Sequence, residues 1–261
     1  MFSGLLSKYL NLDQFSTHHI VNKLAYQAIF QRRRFSFMHF PSLSDIQTYE
    51  GYRGPDGLWI RKQMPTSQHA YNPVNGEGNA LSVISSEYDL LQSSLTNDPR
   101  TAARSAAYLS HFIVDALDPA HHIGNFKSRD PVPVYDDWSD PFLDMRQSFW
   151  KNIRNRHFFF ELCSAFYLWR SQHLFLRVPR RPLQFRHKKF YKPQLLLLFK
   201  KRVQYVNRFR IYERFFIRRH RIQVKRQILS FLFPLMIRSV SLFWMHAIQQ
   251  ASLGRKTHVL R

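Results

Sequence analysis

AAYLSHFIVDALDPAHHIGNF (residues 106–126) carries the clearest helical signal in the chain. Apolar residues recur at helical spacing through residues 101–117, and the same spacing recurs in residues 20–30 and 80–95. Between these last two segments, residues 40–78 are rich in Pro, Gly, Tyr and Asn and are predicted to form a long loop. Alternating strand patterns are scarce. The sequence therefore predicts an all-α fold, a single multi-helical domain with long loops.

Two residues of this stretch have the spacing of metal ligands. His111 and Asp115 are four residues apart, so they project from one face of a helix. The helix must end just before Pro119, because proline disfavours helical geometry in the residue before it, and His121 follows in the turn. Imidazole and carboxylate together suit zinc. Two interpretations remain open here: a zinc site, or the buried hydrogen-bonded pair that a His and an Asp at this spacing more often form.

Four stretches of the chain resemble, in the same order, the signature segments of bacterial zinc-dependent phospholipase C. The stretch from His111 to Phe126 has the family's His, three residues, Asp, five residues and His before a short Asn-Phe segment. The other three are THHIVNKLAYQAI (17–29), GPDGLW (54–59) and QHAYNP (68–73). The resemblance implies a phospholipase C/nuclease-like helical fold with metal ligands in long loops. It also implies the tri-zinc cluster that this family shares with single-strand-specific nucleases.

Carried over position by position, the resemblance implies two adjacent zinc sites. Asp56, His69, His111 and Asp115 would hold the first ion. His18 would hold a second ion, with the Asp115 carboxylate as a bridge between the two.

A third zinc would take His121 and two ligands four residues apart further along the chain. The family pattern there is His, three residues, Glu, whereas this chain offers Asp136 and Asp140. Carboxylates can bind zinc, but a solvated acidic turn is an equally good interpretation of these two residues. His157 and the other histidines beyond this point lie among basic residues and are predicted to be surface or core side chains.

Two of these assignments have alternatives. Asp56 lies in the tetrapeptide Gly54-Pro55-Asp56-Gly57, which turn chemistry alone would favour. His19 would replace His18 if the alignment is wrong by one residue. The chain also begins MFSGLLSKYLNL, without the tryptophan whose amine and carbonyl ligate zinc in the family.

The resemblance implies a zinc-dependent phosphodiester hydrolase, phospholipase C-like, that acts on the head-group phosphodiester of a phospholipid. Up to three zinc ions would be its cofactors, and Asp56 would double as general base. A single-strand nuclease or nucleotidase of the same superfamily is the nearest alternative. No Gly-rich phosphate loop or Ser/His/Asp pattern indicates a rival class of enzyme.

The charge of the chain lies almost entirely in its second half. Residues 1–145 have 12 Lys or Arg and 15 Asp or Glu, whereas residues 146–261 have 27 and 2. Net charge therefore changes from −3 to +25 between the two parts. Basic residues interleave with aromatic ones from 154 to 226. This mixture is typical of surfaces that bind nucleic acid or an anionic membrane.

The same change of composition divides the chain into three segments. Residues 1–153 form a metal-site helical region, residues 154–227 a basic, aromatic-rich, divergent segment, and residues 228–261 the closing helix and tail of the same domain. An altered reading frame over the middle segment would also produce this pattern. In that case the charge would have no function and the fold could be incomplete. A separate alternative is a non-catalytic, diverged chain that keeps the helical scaffold and binds anionic surfaces through its basic second half, or has no function.

The sequence predicts no transmembrane segment. The apolar run 194–199 is too short, and the run 228–237 contains Pro234 and is closed by Arg238, well below the ~20 residues that a spanning helix needs. No signal peptide is legible at the start of the chain, which favours a cytoplasmic location, whereas the family that the chain resembles is often secreted, so the location stays open. The single cysteine, Cys163, permits no internal disulfide.

Overall fold

Helices make up all the regular structure in residues 16–30, 40–122, 153–176 and 191–258, the part of the chain that the computed structural model describes. In chain order the α-helices are α1 (Thr17–Phe30), α2 (Leu43–Thr48), α3 (Pro55–Ile60), α4 (Ala80–Ser94), α5 (Pro99–Leu117), α6 (Ile153–Leu176), α7 (Lys192–Arg208), α8 (Ile211–Phe215), α9 (Arg221–Gln227) and α10 (Phe233–His258). Short 3-10 helices cover Gly51–Arg53, Thr66–His69, Pro119–His122 and Arg218–His220, and a π-helix covers Ile228–Leu232. The all-α prediction is confirmed, and the described helices share one hydrophobic core.

Helix α5 is the centre of this core. Pro99 occupies its first turn and the Asp98 side chain accepts a hydrogen bond from the backbone N–H of Thr101 at 3.0 Å, which fixes its start. It ends at Leu117, as the Asp118-Pro119 pair predicts. Every residue from 105 to 117 is buried, because α1, α2, α4 and α10 all pack against it. His111 and Asp115 are therefore held by a rigid, enclosed helix.

The segment 40–78 contains more helix than its composition predicts. Ser42 caps α2 through its hydroxyl, and Pro55 occupies the first turn of α3, where its missing N–H costs nothing. The tetrapeptide that favours a turn is thus the start of a helix. Gly57 is required there, because a Cβ atom at this position would overlap the backbone carbonyl of Tyr52.

Helices from the basic segment contribute to the core. Phe160 and Leu168 of α6, and Phe199 and Val203 of α7, are fully buried. Their charged neighbours stay at the surface, as for Lys200 and Lys201. The described parts of all three segments thus pack together in one core.

Residues 218–253 form one continuous helical column, which is longer than the sequence predicts. The column starts as a 3-10 helix and continues through α9 and the π-helix into α10. Pro234 does not interrupt it: the π-helical turn precedes it and Pro234 is the second residue of α10, where helix geometry tolerates proline. By length and composition alone this column could cross a membrane, although 61% of its most apolar window is buried against the rest of the protein.

Contacts to the other core helices account for that burial. Trp244 Nε1 donates to the carbonyl of Ala106, and Tyr88 Oη is hydrogen-bonded to His246 Nδ1 at 2.6 Å. Such contacts are typical of the core helix of a folded domain.

Candidate metal centre

Short helices and helix ends bring the candidate ligands together beside α5. His18 lies in the first turn of α1, Asp56 in the first turn of α3, and His69 and His121 in 3-10 helices. In the described residues, His, Asp and Glu side chains form three groups whose ligand atoms lie within 4.8 Å of one another. The groups are Asp56, His69, His111 and Asp115; His18, Glu50 and His111; and His121, His157 and Glu161.

The first group has the two histidines and two carboxylates that the resemblance implies for one zinc. His69 Nδ1 lies 2.8 Å from Asp115 Oδ2, and His111 Nε2 lies 3.2 Å from the same oxygen. Asp56 Oδ1 lies 3.3 Å from His111 Nε2 and 3.8 Å from His69 Nδ1. One face of this group is open to solvent, because the Asp56 side chain is 16% exposed whereas Asp115 is fully buried.

His18 approaches the other oxygen of Asp115. Its Nε2 lies 3.5 Å from Asp115 Oδ1, and its ring stacks on that of His111 with 3.8 Å between centroids. His111 in turn places Nδ1 3.5 Å from Glu50 Oε2, and Glu50 accepts a 2.7 Å hydrogen bond from Asn22. A carboxylate behind a metal-ligating histidine orients its ring and leaves the opposite nitrogen for the metal.

The third group lies on the far side of Asp115. His121 Nε2 is 3.9 Å from Asp115 Oδ1 and 3.1 Å from Glu161 Oε1. His157, one turn earlier on α6, places its Nε2 2.7 Å from the same Glu161 oxygen. Three candidate ligands from two elements thus converge on one point.

Burial and charge set the protonation of this cluster. Burial lowers the pKa of His18, and the neighbouring His111 lowers it further, so His18 is neutral at physiological pH. For His111 burial also lowers the pKa, but Asp115 and Asp56 outweigh it and raise the pKa well above its ordinary value. Burial raises the pKa of Asp115, yet His111 and His121 help to hold it well below its usual range. Asp115 is therefore ionised.

Several buried nitrogen atoms in the cluster have no hydrogen-bond partner among the described residues. They are both ring nitrogens of His18 and Nε2 of His69. Leaving such groups unsatisfied in a protein interior costs about 1–3 kcal/mol each. Imidazole nitrogens with carboxylate oxygens are a donor set that suits zinc. The residues present therefore fit a metal, although they do not identify which one.

The structure brings together six of the eight ligands named from the sequence. These are His18, Asp56, His69, His111, Asp115 and His121. The other two, Asp136 and Asp140, lie outside the described residues.

His157 and Glu161 supply the spacing that the resemblance requires at the third site. The stretch HFFFE (157–161) has His, three residues and Glu, the spacing that the resemblance implies, but basic residues surround it and conceal this signal in the sequence. His157, predicted to be a surface or core side chain, instead pairs with Glu161 beside His121. Glu50 had no recognisable signal in the sequence.

Comparisons with known proteins returned no match: the chain fits no family model, no curated protein and no solved structure. A function must therefore be inferred from the geometry of the site.

Proposed function

We propose that this chain is a zinc-dependent phosphodiester hydrolase, phospholipase C-like, that cleaves the head-group phosphodiester of a phospholipid. The observation that carries the proposal is the position of the Asp115 carboxylate. Its Oδ1 faces His18 and His121, and its Oδ2 faces His69 and His111. A hydrogen-bonded His–Asp pair uses one imidazole, whereas a carboxylate with two imidazoles at each oxygen suits a bridge between adjacent metal ions.

Zinc fits these residues for two reasons. Imidazole and carboxylate groups are a donor set that suits zinc, and several of the buried ring nitrogens have no hydrogen-bond partner among the described residues. Bound zinc supplies an activated water, whose pKa falls from about 15.7 to roughly 7, and neutralises charge on a phosphodiester. The first site would use Asp56, His69, His111 and Asp115. The second would use His18, with Asp115 shared, and the third would use His121, His157 and Glu161. The resemblance to zinc-dependent phospholipase C supports the same assignment.

Asp56 is the best candidate for general base. It is the most exposed carboxylate of the cluster, so a substrate can approach it. Burial raises the pKa of Asp56, but His111 outweighs that effect and holds the pKa below its usual value. Asp56 is therefore ionised and able to accept a proton. Tyr52 and Trp59, four residues before and three after it, are 42% and 37% exposed.

Zinc content per folded chain, measured by elemental analysis after mild dialysis, tests the metal centre. We expect two or three zinc ions in the wild type and loss of at least two together in Asp115→Asn. His173→Asn, which changes an exposed histidine on α6, is the matched control and should keep full zinc content. A folded, metal-free wild-type chain would contradict the proposal.

Hydrolysis of a phospholipid emulsion and of single-stranded DNA by the zinc-loaded chain tests the substrate class. We expect release of the phosphorylated head group, and a loss of at least about a hundredfold in Asp56→Asn and Asp115→Asn. The basic surface of α7 and α9 favours single-strand nuclease or nucleotidase activity as the second candidate, because exposed cations can hold a nucleic-acid backbone. Zinc-loaded protein that cleaves neither substrate would contradict both the phospholipase and the single-strand nuclease assignments.

A further inference from the structure

An apolar groove lies where the end of α6 meets the π-helix and the start of α10. It encloses about 390 Å³. Its walls are aliphatic and aromatic: Leu174 and Phe175 from α6, Leu229 and Phe231 from the π-helix, and Pro234 and Leu235 from α10. A volume of this size is within the range of ligand-binding pockets.

One arginine lines this groove and a second contacts the same helix, and neither has a carboxylate partner among the described residues. Arg238 lines the groove and is exposed. Arg202 donates from Nη1 to Ser239 Oγ at 2.9 Å. Burial lowers the pKa of Arg202, and the charge of Arg238 lowers it further. In the described part of the chain, neither has a carboxylate within ion-pair distance. An anionic group from outside would be attracted to both.

Basic residues continue from the groove along the helical column. Arg221, Lys225 and Leu229 follow at intervals of four residues, so the first two share a helix face with a groove-lining leucine. Lys225 Nζ lies 5.1 Å from the Tyr167 ring of α6. Ile222 beside them is 72% exposed. Residues 191–258 contain 15 Lys or Arg and only one acidic residue, so this face has almost no carboxylates to oppose an anion.

We propose that the groove binds an acyl chain of an anionic phospholipid at a membrane surface, with Arg238 at the lipid phosphate and Arg221 and Lys225 against neighbouring head groups. Apolar side chains flanked by cations are the pattern of proteins that lie on anionic membranes. Single-stranded nucleic acid fits less well, because it needs open aromatic rings for stacking and this groove is largely aliphatic. The site is separate from the metal centre and does not depend on the proposed hydrolase activity.

Co-sedimentation of the full chain with vesicles tests this site. We expect binding to phosphatidylcholine vesicles that contain phosphatidylglycerol, and little binding to phosphatidylcholine alone. Arg238→Glu and Leu174→Asp, both at exposed positions, should each weaken binding roughly tenfold. Lys23→Glu on α1 makes the same charge change at an exposed position that does not line the groove, and should leave binding nearly unchanged.

Three outcomes would overturn the proposal. Equal losses in Lys23→Glu and Arg238→Glu would show that binding follows net charge alone. Full binding by Leu174→Asp would show that no acyl chain enters the groove. Single-stranded DNA in excess could also displace the chain from the vesicles. If this displacement is lost in Arg238→Glu, the surface would be assigned to nucleic acid. Far-ultraviolet circular dichroism of every variant verifies that the helices are intact.

Discussion

Nδ1 of His121 lies 2.7 Å from the backbone carbonyl oxygen of His69. The bond joins two 3-10 helices that are far apart in the chain, and each carries a candidate metal ligand. Because a carbonyl oxygen can only accept, Nδ1 must carry a proton. Nε2 of His121, which faces Glu161 and Asp115, is therefore the nitrogen that can bind metal. A backbone contact thus selects the tautomer before any metal arrives.

The tautomer of His121 can be read by NMR. Burial lowers the pKa of His121, but Asp115 and other acidic neighbours outweigh that effect and raise the pKa. We expect zinc to displace the Nε2 proton and to leave the Nδ1 proton in place. Two-bond proton–nitrogen correlation spectra before and after zinc addition measure this. A zinc-loaded ring protonated on Nε2 would contradict the assignment.

The third metal site is predicted to use His157 and Glu161. Replacing either removes one of three converging ligands, so the variants His157→Asn and Glu161→Gln should bind this metal about 10–100-fold more weakly and keep the other sites. Zinc titration followed by calorimetry measures the change. Asp136→Asn and Asp140→Asn are the comparison, because the sequence assigns the same site to those residues. If the α6 variants bind zinc fully and the two aspartate variants lose zinc, Asp136 and Asp140 would be the ligands of the third site.

The sequence predicts the ligands on α5 better than the residues that other parts of the fold bring to the metal centre. His111 and Asp115 could be found because a four-residue spacing on a strongly periodic helix fixes their geometry. His157 and Glu161 have the same spacing, but they lie in a helix whose charged and aromatic residues follow no clear face. Their spacing is therefore the only local signal, and the periodicity of the helix does not distinguish them from surface residues. Glu50 is placed by tertiary packing against Asn22 and His111, which no local signal reports. The continuity of the last helix through Pro234 likewise depends on a π-helical turn that composition does not reveal.

Gly57 is predicted to control the position of Asp56. A Cβ atom there would overlap the Tyr52 carbonyl, so Gly57→Ala must displace α3 or the preceding 3-10 helix. We expect the free energy of unfolding to fall by about 1–3 kcal/mol and zinc content to fall with it. Gly76→Ala is the control: Gly76 has a φ of +79°, but its added Cβ meets open space, so only backbone strain of about 1 kcal/mol should result, with zinc retained. Equal zinc content in both variants would show that Asp56 does not depend on this contact.

His122 is predicted to make the fold sensitive to acid. Its side chain is buried and Nε2 donates to the carbonyl of Ala116 at 2.9 Å, and burial lowers its pKa to about 4. In the unfolded chain the pKa returns to about 6.5. The unfolded state therefore takes up a proton at higher pH than the folded state does, so the stabilising contribution is complete above pH of about 6.5 and is lost as pH falls toward 4. The full effect corresponds to about 3 kcal/mol.

Urea unfolding between neutral pH and pH of about 4, in the presence of a chelator, isolates this effect from metal binding. The variant His122→Gln keeps a donor for Ala116 but cannot titrate, so its stability should fall less steeply with acid than that of the wild type. His173→Gln changes an exposed histidine and should reproduce the wild-type curve. The difference between the wild-type and His122→Gln curves reports the one residue, because the other titrating groups are common to both. If the two curves stay parallel over this range, the buried imidazole is already charged in the folded chain, and the helix end at Ala116 must open to admit water.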